Sequence, residues 1–368
     1  MNEIEKFNDI EILNLSKCDD FYGPIFPNFE KSKHLMQKRG KEVICSEISS
    51  LRVDSLCNKQ TIDFPLLWCG SYHYHYGHLI CEHMSRILVY KEANIKGKLC
   101  FSIHEKINVS DFFWEIIRHF GYSNEDVFFI DKPTIAKTLY VTPQNETIQQ
   151  KNLTSEFYLD LLDKNYPPKP ISEKKGIVYV SRSKLTHRSY PKLAGEEYLE
   201  KYFRECGIEV IYPEQMSVEE QVKLYNSSRL IIMVEGSAYH TFQLLGRAMG
   251  DILIIKRRNI YANGGWVRNV ILPRCNSLKY ISELPTLIPG RAVDKKTQRN
   301  FLKESHGLVL YGIGLLIEIM NIVRKTDKTI PNIEISKIEY DQMVLVEYDK
   351  YIKNEAEKIN FTKECGST

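Results

Sequence analysis

Residues 73 to 86 hold six side chains able to do acid–base or ligand chemistry: His73, His75, His78, Glu82, His83 and Arg86. His78, Glu82 and Arg86 stand at i, i+4 and i+8, so a helix would bring a base, an acid and a guanidinium along one face. The plainer alternative is a polar face with a Glu82–Arg86 pair, worth only a few tenths of a kcal/mol. A metal reading competes with both. His78-Leu-Ile-Cys-Glu-His83 differs from the zinc motif His-x-x-Glu-His by one extra residue. His73-x-His75 on a strand would supply two ligands with no assured third. A metal-dependent hydrolase built on His73, His75, His78 and His83 therefore stays open.

Two further groups lie in the second half of the chain. Arg182 closes the stretch Tyr179-Val-Ser-Arg182 and Arg188 follows six residues on, just past an expected strand end. An α/β sheet binds its ligands at that end, and the planar forks of arginine suit phosphate oxygens. The stretch 229–240 runs from Arg229 through an Ile- and Val-rich segment into Glu235-Gly236-Ser237 and His240. A strand that turns through Gly-Ser into a helix gathers backbone N–H groups and a positive dipole end at one point, which suits a phosphate or pyrophosphate. An ordinary turn with a capping serine would read the same way. His240 fits a packed or capping role as well as a binding one, and Gln221 fits either solvent or a ring contact.

These residues need a frame to hold them. Apolar runs expected as strands fall at 64–68, 99–103, 127–130 and 138–141, with helical periodicity after 76, over 112–120 and over 153–163. That alternation predicts a first α/β domain with a parallel sheet. The Pro-rich stretch 165–176 reads as a linker. Beyond it, strands at 177–181, 208–212, 229–234 and 251–255 alternate with helices, one of them opened by a capping box at Ser217-Val-Glu-Glu220. This is a doubly wound half of Rossmann type. It lacks Gly-x-Gly-x-x-Gly, so it carries no dinucleotide fingerprint. After Pro289 the pattern loosens to a helix near 301–325 and a Tyr-rich helical tail over 348–361.

Composition sets outer bounds. The chain has 368 residues, 43% hydrophobic and 26% charged, enough for two soluble globular domains. Fifty basic residues against 47 acidic ones leave a net charge of +3, without the basic excess of a nucleic-acid binder. The nine cysteines are scattered and include no Cys-x-x-Cys, which fits buried thiols in a reducing compartment. The first residues, Met1 to Lys6, carry no secretory signal, and the expectation is a cytoplasmic protein. Gly307–Val323 is apolar but falls short of the ~20 residues a spanning helix needs. It predicts a buried helix or a contact at the inner face of a membrane.

Taken in order, Tyr76-Gly-His78-Leu…Glu82…Arg86, Tyr179-Val-Ser-Arg182…Arg188…Glu196, Pro213-Glu-Gln…Gln221 and Glu235-Gly-Ser-Ala238 resemble glycosyltransferase family 61 over about residues 64–250. The sequence departs from the family's pattern at Leu79, at Gly195 and at Glu235. The resemblance implies a GT-B enzyme, two Rossmann-like domains facing across a cleft, without a resident cofactor or metal. Its donor would be a nucleotide diphosphate sugar and its acceptor a glycan, lipid-linked glycan or protein. The reaction would be an inverting transfer in bacterial surface polysaccharide or glycoconjugate synthesis.

Carried onto this chain, the expected division is an acceptor domain over 1–164, a linker over 165–176, a donor domain over 177–290 and a helical extension over 291–368. Glu82 would act as base, with His78 orienting it or taking its place. His75 and Arg86 would meet the acceptor. Arg182, Arg188, Gly236, Ser237, His240 and Gln221 would hold the donor. Glu235 would repel a diphosphate, so it is expected on a donor hydroxyl or a neighbouring arginine. A non-catalytic sugar- or nucleotide-binding module is the remaining alternative.

Overall fold

The computed structural model describes residues 4–14, 23–24, 37–38, 41–42, 59–72, 74–104, 108–146, 154–185, 192–247, 249–257, 265–293 and 300–365. The fold is mixed α/β, built on parallel sheets. Leu66–Ser71 is the centre of the first sheet and is buried at every position, as expected of a strand covered on both faces. It pairs in parallel with Lys98–Ser102 on one side and Thr134–Val141 on the other, and Val127–Ile130 extends the sheet beyond Lys98–Ser102.

One edge differs from the all-parallel expectation. Glu5–Leu13 runs antiparallel to Thr134–Val141. Its alternation is broken at Asn8 and Asp9, where Asp9 takes a positive φ of 53°. That break hides the strand from a period-two reading.

The second sheet is fully parallel. In space its strands run Glu209–Ile211, Lys175–Val180, Ser228–Val234, Met249–Ile255 and Cys275–Tyr280. In chain order this is 2-1-3-4-5, so the winding reverses between Lys175–Val180 and Ser228–Val234. Helices Glu196–Glu205 and Val218–Ser227 form the crossovers, and the Ser217–Glu220 capping box is present. The fifth strand, Cys275–Tyr280, is part buried and polar enough to escape an apolar-run reading.

The helix expected near 301–325 divides in two. Asn300–Leu310 is a strand, antiparallel to Thr286–Val293, and only Gly314–Thr326 is helical. Gly307 explains the change: a Cβ there would overlap the Ile288 carbonyl, so the glycine lets the two strands close. Leu315, Leu316, Ile319, Met320 and Val323 of the helix are fully buried. The apolar segment thus packs inward, and no helix among the described residues is long and apolar enough to cross a membrane. The tail helix is longer than expected, Lys337–Cys365.

A continuous apolar core joins the two sheets. Leu67, Phe101 and Phe113 belong to the same buried cluster as Val180, Ile231 and Ile252. Polar clamps cross the same boundary. Arg274, fully buried, meets Glu146 at 2.8 Å and donates to the Leu245 and Val270 carbonyls. Arg247 bonds Asp163, and Glu115 accepts from the Val218 N–H at 2.7 Å. The two carbonyl bonds help offset the cost of burying the pair. Among the described residues Cys69, Cys81, Cys100 and Cys206 are buried free thiols, in keeping with the scattered cysteine pattern.

Candidate active site

Helix Tyr76–His83 starts directly after strand Leu66–Ser71 and carries the first set of residues. Its Glu82 is buried, with 2% side-chain exposure, and His78 keeps 19%. The His78 Nδ1 lies 2.9 Å from Glu82 Oε1, so the expected i, i+4 alignment becomes a bonded dyad. The His75 ring stands 4.9 Å from the His78 ring. His83 turns into the core, 3.3 Å from the Ser71 hydroxyl. Arg86 is fully buried behind the helix, where its Nε donates to the Thr142 carbonyl at 3.0 Å. It ties the helix to the end of strand Thr134–Val141. His73 lies outside the described residues.

The second set surrounds the point where the parallel sheet reverses its winding. Arg182 follows strand Lys175–Val180, and Glu235-Gly236-Ser237 follows Ser228–Val234. The guanidinium of Arg182 lies on the backbone of Gly236, where any Cβ would overlap it. Gly236 is extended (φ 174°), so the glycine serves close approach and not an unusual dihedral. Beyond it the chain forms a 3-10 helix, Ser237–Leu244, where the periodicity suggests an α-helix. Tyr239, His240, Thr241 and Phe242 are all buried, so the turn is covered on every side. Glu235 accepts from the Arg257 main-chain N–H at 3.2 Å. Arg188 lies outside the described residues.

The two sets meet. Gly77 packs on the His240 ring so closely that a Cβ on the glycine would overlap it. The Tyr76 and Thr241 hydroxyls are 2.8 Å apart, and Thr241 donates to Gln221 Oε1 at 3.0 Å. Gln221 in turn donates to the Pro213 and Met216 carbonyls, which places it as a support under Thr241. Burial holds His240 down to about 3, against a bond to Gln243, with the His78 and His75 charges adding to the depression. His240 is a neutral ring at ordinary pH. His75, His78, Arg182, Glu235 and Ser237, in contrast, keep part of their surface open.

Glu196 enters the sequence resemblance without a role, and Arg257 does not enter it. Glu196 Oε1 receives the Arg182 N–H at 2.8 Å, the Tyr179 hydroxyl at 2.9 Å and the Ser181 hydroxyl at 3.2 Å. Arg257 follows strand Met249–Ile255 within a Lys-Arg-Arg run. The logic that picked Arg182 from its place after a strand could have found it too.

Metal chemistry has one local candidate among the described residues. His78, Cys81 and Glu82 offer ligand atoms within 4.8 Å of one another. The cluster draws on one helical turn alone. Burial raises the Cys81 thiol well above its ordinary value. Of the four-histidine set, His83 turns away to Ser71 and His73 lies outside the described residues.

A doubly wound sheet with arginine at its switch point thus meets a carboxylate–imidazole dyad across the Gly77–His240 contact. The family model described as Glycosyltransferase 61 matches residues 76–245, from the first residue of the dyad helix to the end of the 3-10 turn. Over these residues the chain is similar to glycosyltransferase family 61, which supports a glycosyltransferase. No curated protein matches the chain.

Proposed function

We propose that the protein is an inverting glycosyltransferase of GT-B arrangement. It moves a sugar from a nucleoside diphosphate sugar to an acceptor hydroxyl, in the cytoplasm, for a bacterial surface polysaccharide or glycoconjugate. Residues 177–290 hold the donor and residues 1–164 the acceptor, with 165–176 between them and 291–368 as an extension. The observation that carries this reading is the contact of Gly77 with His240. Through it the His78–Glu82 dyad and the Arg182–Gly236 pair become two sides of one site.

The chemistry follows from the residues. As the acceptor oxygen forms its bond to the anomeric carbon, the bond from that carbon to the diphosphate oxygen breaks. The acceptor proton passes to the dyad. Exposure orders the dyad's roles: His78 is the reachable member, and Glu82 sits behind it. With Nδ1–H donated to Glu82, the Nε2 of His78 takes the proton, and the carboxylate stabilises the imidazolium that forms. Charge gathers on the leaving diphosphate, where Arg182 and the N–H groups of the Gly236-Ser237 turn receive it. His75 is placed to meet the acceptor. Glu235, engaged with the Arg257 main chain, shapes the turn without facing the phosphates.

A thermal-shift panel of nucleoside diphosphates and their sugars tests this reading, because a ligand bound only by the native state raises Tm. A rise with at least one nucleoside diphosphate, lost in Arg182→Ala, is the expected result. No rise with any of them would sink it.

A further inference from the structure

Residues 337–365 take no part in the transfer chemistry, and neither does the buried carboxylate of Glu196. The two are connected. Glu196 is the first residue of helix Glu196–Glu205, and Gly195 before it is the left-handed cap, at φ 78°. The tail helix packs on that cap: a Cβ at Gly195 would press on Tyr340 and Val344 at 2.9 Å. Glu347 of the same helix faces the Gly195 backbone N–H. Strand Asn300–Leu310 holds the approach, with Ala194 N–H donating to the Val309 carbonyl at 2.9 Å. Tyr340 donates to the Tyr311 carbonyl and so locks the tail helix to this strand's exit.

On its other side Glu196 gathers three donors on one oxygen, from Tyr179, Ser181 and Arg182. These are the last residues of the strand and the start of the turn that presents Arg182 to Gly236. Ser181 also reaches Glu200 at 2.6 Å, which Tyr212 and Arg204 hold from outside. A buried carboxylate with three converging donors fixes a backbone far more firmly than a loop could.

We infer that Glu196 is the positioning residue of the Arg182 turn, and that the tail helix sets it in place through Gly195. Glu196 touches no substrate. It acts by holding the main chain at Arg182 so that the guanidinium stays on the glycine. The extension after residue 290 is thereby part of the donor site's support and not an appendage.

This inference rests on the donor reading of Arg182, and the experiment separates the two. Binding of inorganic pyrophosphate and of UDP to the full-length protein is measured by calorimetry for the wild type, Arg182→Ala, Glu196→Ala, Glu196→Gln and Gly195→Ala. If the wild type binds neither probe, or Arg182→Ala binds as the wild type does, the donor reading fails whatever Glu196 does. With that control passed, Glu196→Ala and Gly195→Ala should each weaken binding about tenfold. Glu196→Gln, which keeps an acceptor oxygen for the three donors, should stay within about threefold of the wild type. A Glu196→Ala variant that binds as the wild type does, or Ala and Gln variants that weaken equally, would overturn the inference. Circular dichroism checks the fold. Should Glu196→Ala fail to fold, Glu196→Asp decides: one methylene shorter, it should bind about tenfold more weakly, and wild-type affinity would overturn the proposal.

Discussion

The guanidinium of Arg182 rests on the bare backbone of Gly236. Two strand ends that lie side by side in the parallel sheet thus share one surface, arginine from one and main-chain N–H groups from the other. Since Gly236 is extended, a side chain there strains nothing in the backbone and acts only by displacing the arginine. Gly236→Ala should fold normally and bind pyrophosphate about tenfold more weakly or worse, as expected when a charge-assisted phosphate contact is lost. Calorimetry reads the affinity, and an unchanged value would show that Arg182 has room to move.

The dyad makes a kinetic prediction. Removing a positioned base costs about 10²–10⁴ in rate, and His78→Ala should fall in that range. Glu82→Gln should lose a comparable factor by weakening the hold on the His78 tautomer. The double variant should be little slower than either single one, since residues acting as a unit are not additive. Full additivity in kcat would mean that the two residues work apart.

Between the sheets, Glu146 and Arg274 form a buried ion pair at 2.8 Å. Glu146→Ala strands the guanidinium in the interior and should destabilise the fold by about 3–5 kcal/mol. Pairing it with Arg274→Met removes the stranded charge and should recover much of that loss. Urea midpoints of the two variants provide the check, and a loss of under about 1 kcal/mol in Glu146→Ala would show that water reaches the pair.

Acid should act on the histidines buried beside the interface. Burial lowers His240 to about 3 and His119 to about 4, from 6.5. The unfolded chain takes up these protons below about pH 6.5 and the folded chain does not. Stability therefore falls as pH drops from 6.5 towards 3–4. Ring resonances in an NMR titration should show His240 uncharged at pH 5; a midpoint near 6.5 would refute its burial.

Glu196 carries the opposite sign. Desolvation raises its carboxyl to about 7, against the pull of the Arg182 and Tyr179 bonds and of the Arg182 charge. The folded state keeps this proton where the unfolded state has lost it. Its contribution is whole below the ordinary carboxylate value and declines as pH rises from 4.5 to 7. Glu196→Gln should flatten that decline. Parallel stability curves for variant and wild type between pH 5 and 8 would contradict it.

Much of this arrangement is legible in the chain itself. The strand at 127–130 and the capping box at Ser217–Glu220 stand where propensity and capping chemistry put them. His78 and Glu82 are bonded because i, i+4 spacing on a helix leaves them adjacent. What escapes such reading depends on distant partners. Asn300–Leu310 has helical apolar content and becomes a strand because Gly307 admits a neighbouring backbone. The 3-10 turn at Ser237–Leu244 forms against Gly77, 160 residues away in sequence from Ser237. Arg86 has the spacing of a site residue and the location of a brace, a distinction that only burial draws.

The contact of Gly77 with His240 also bears on how such enzymes could be recombined. One imidazole is the spacer between the helix of the His78–Glu82 dyad and the Gly236 turn, and the glycine is cut to its thickness. A chimaera that takes the first half from one glycosyltransferase and the second from another would inherit these two parts from different parents. A mismatch at this single pair would hold the two sides of the cleft apart, although each half folded well. Matching positions 77 and 240 is therefore the first compatibility rule for swapping specificities on this scaffold.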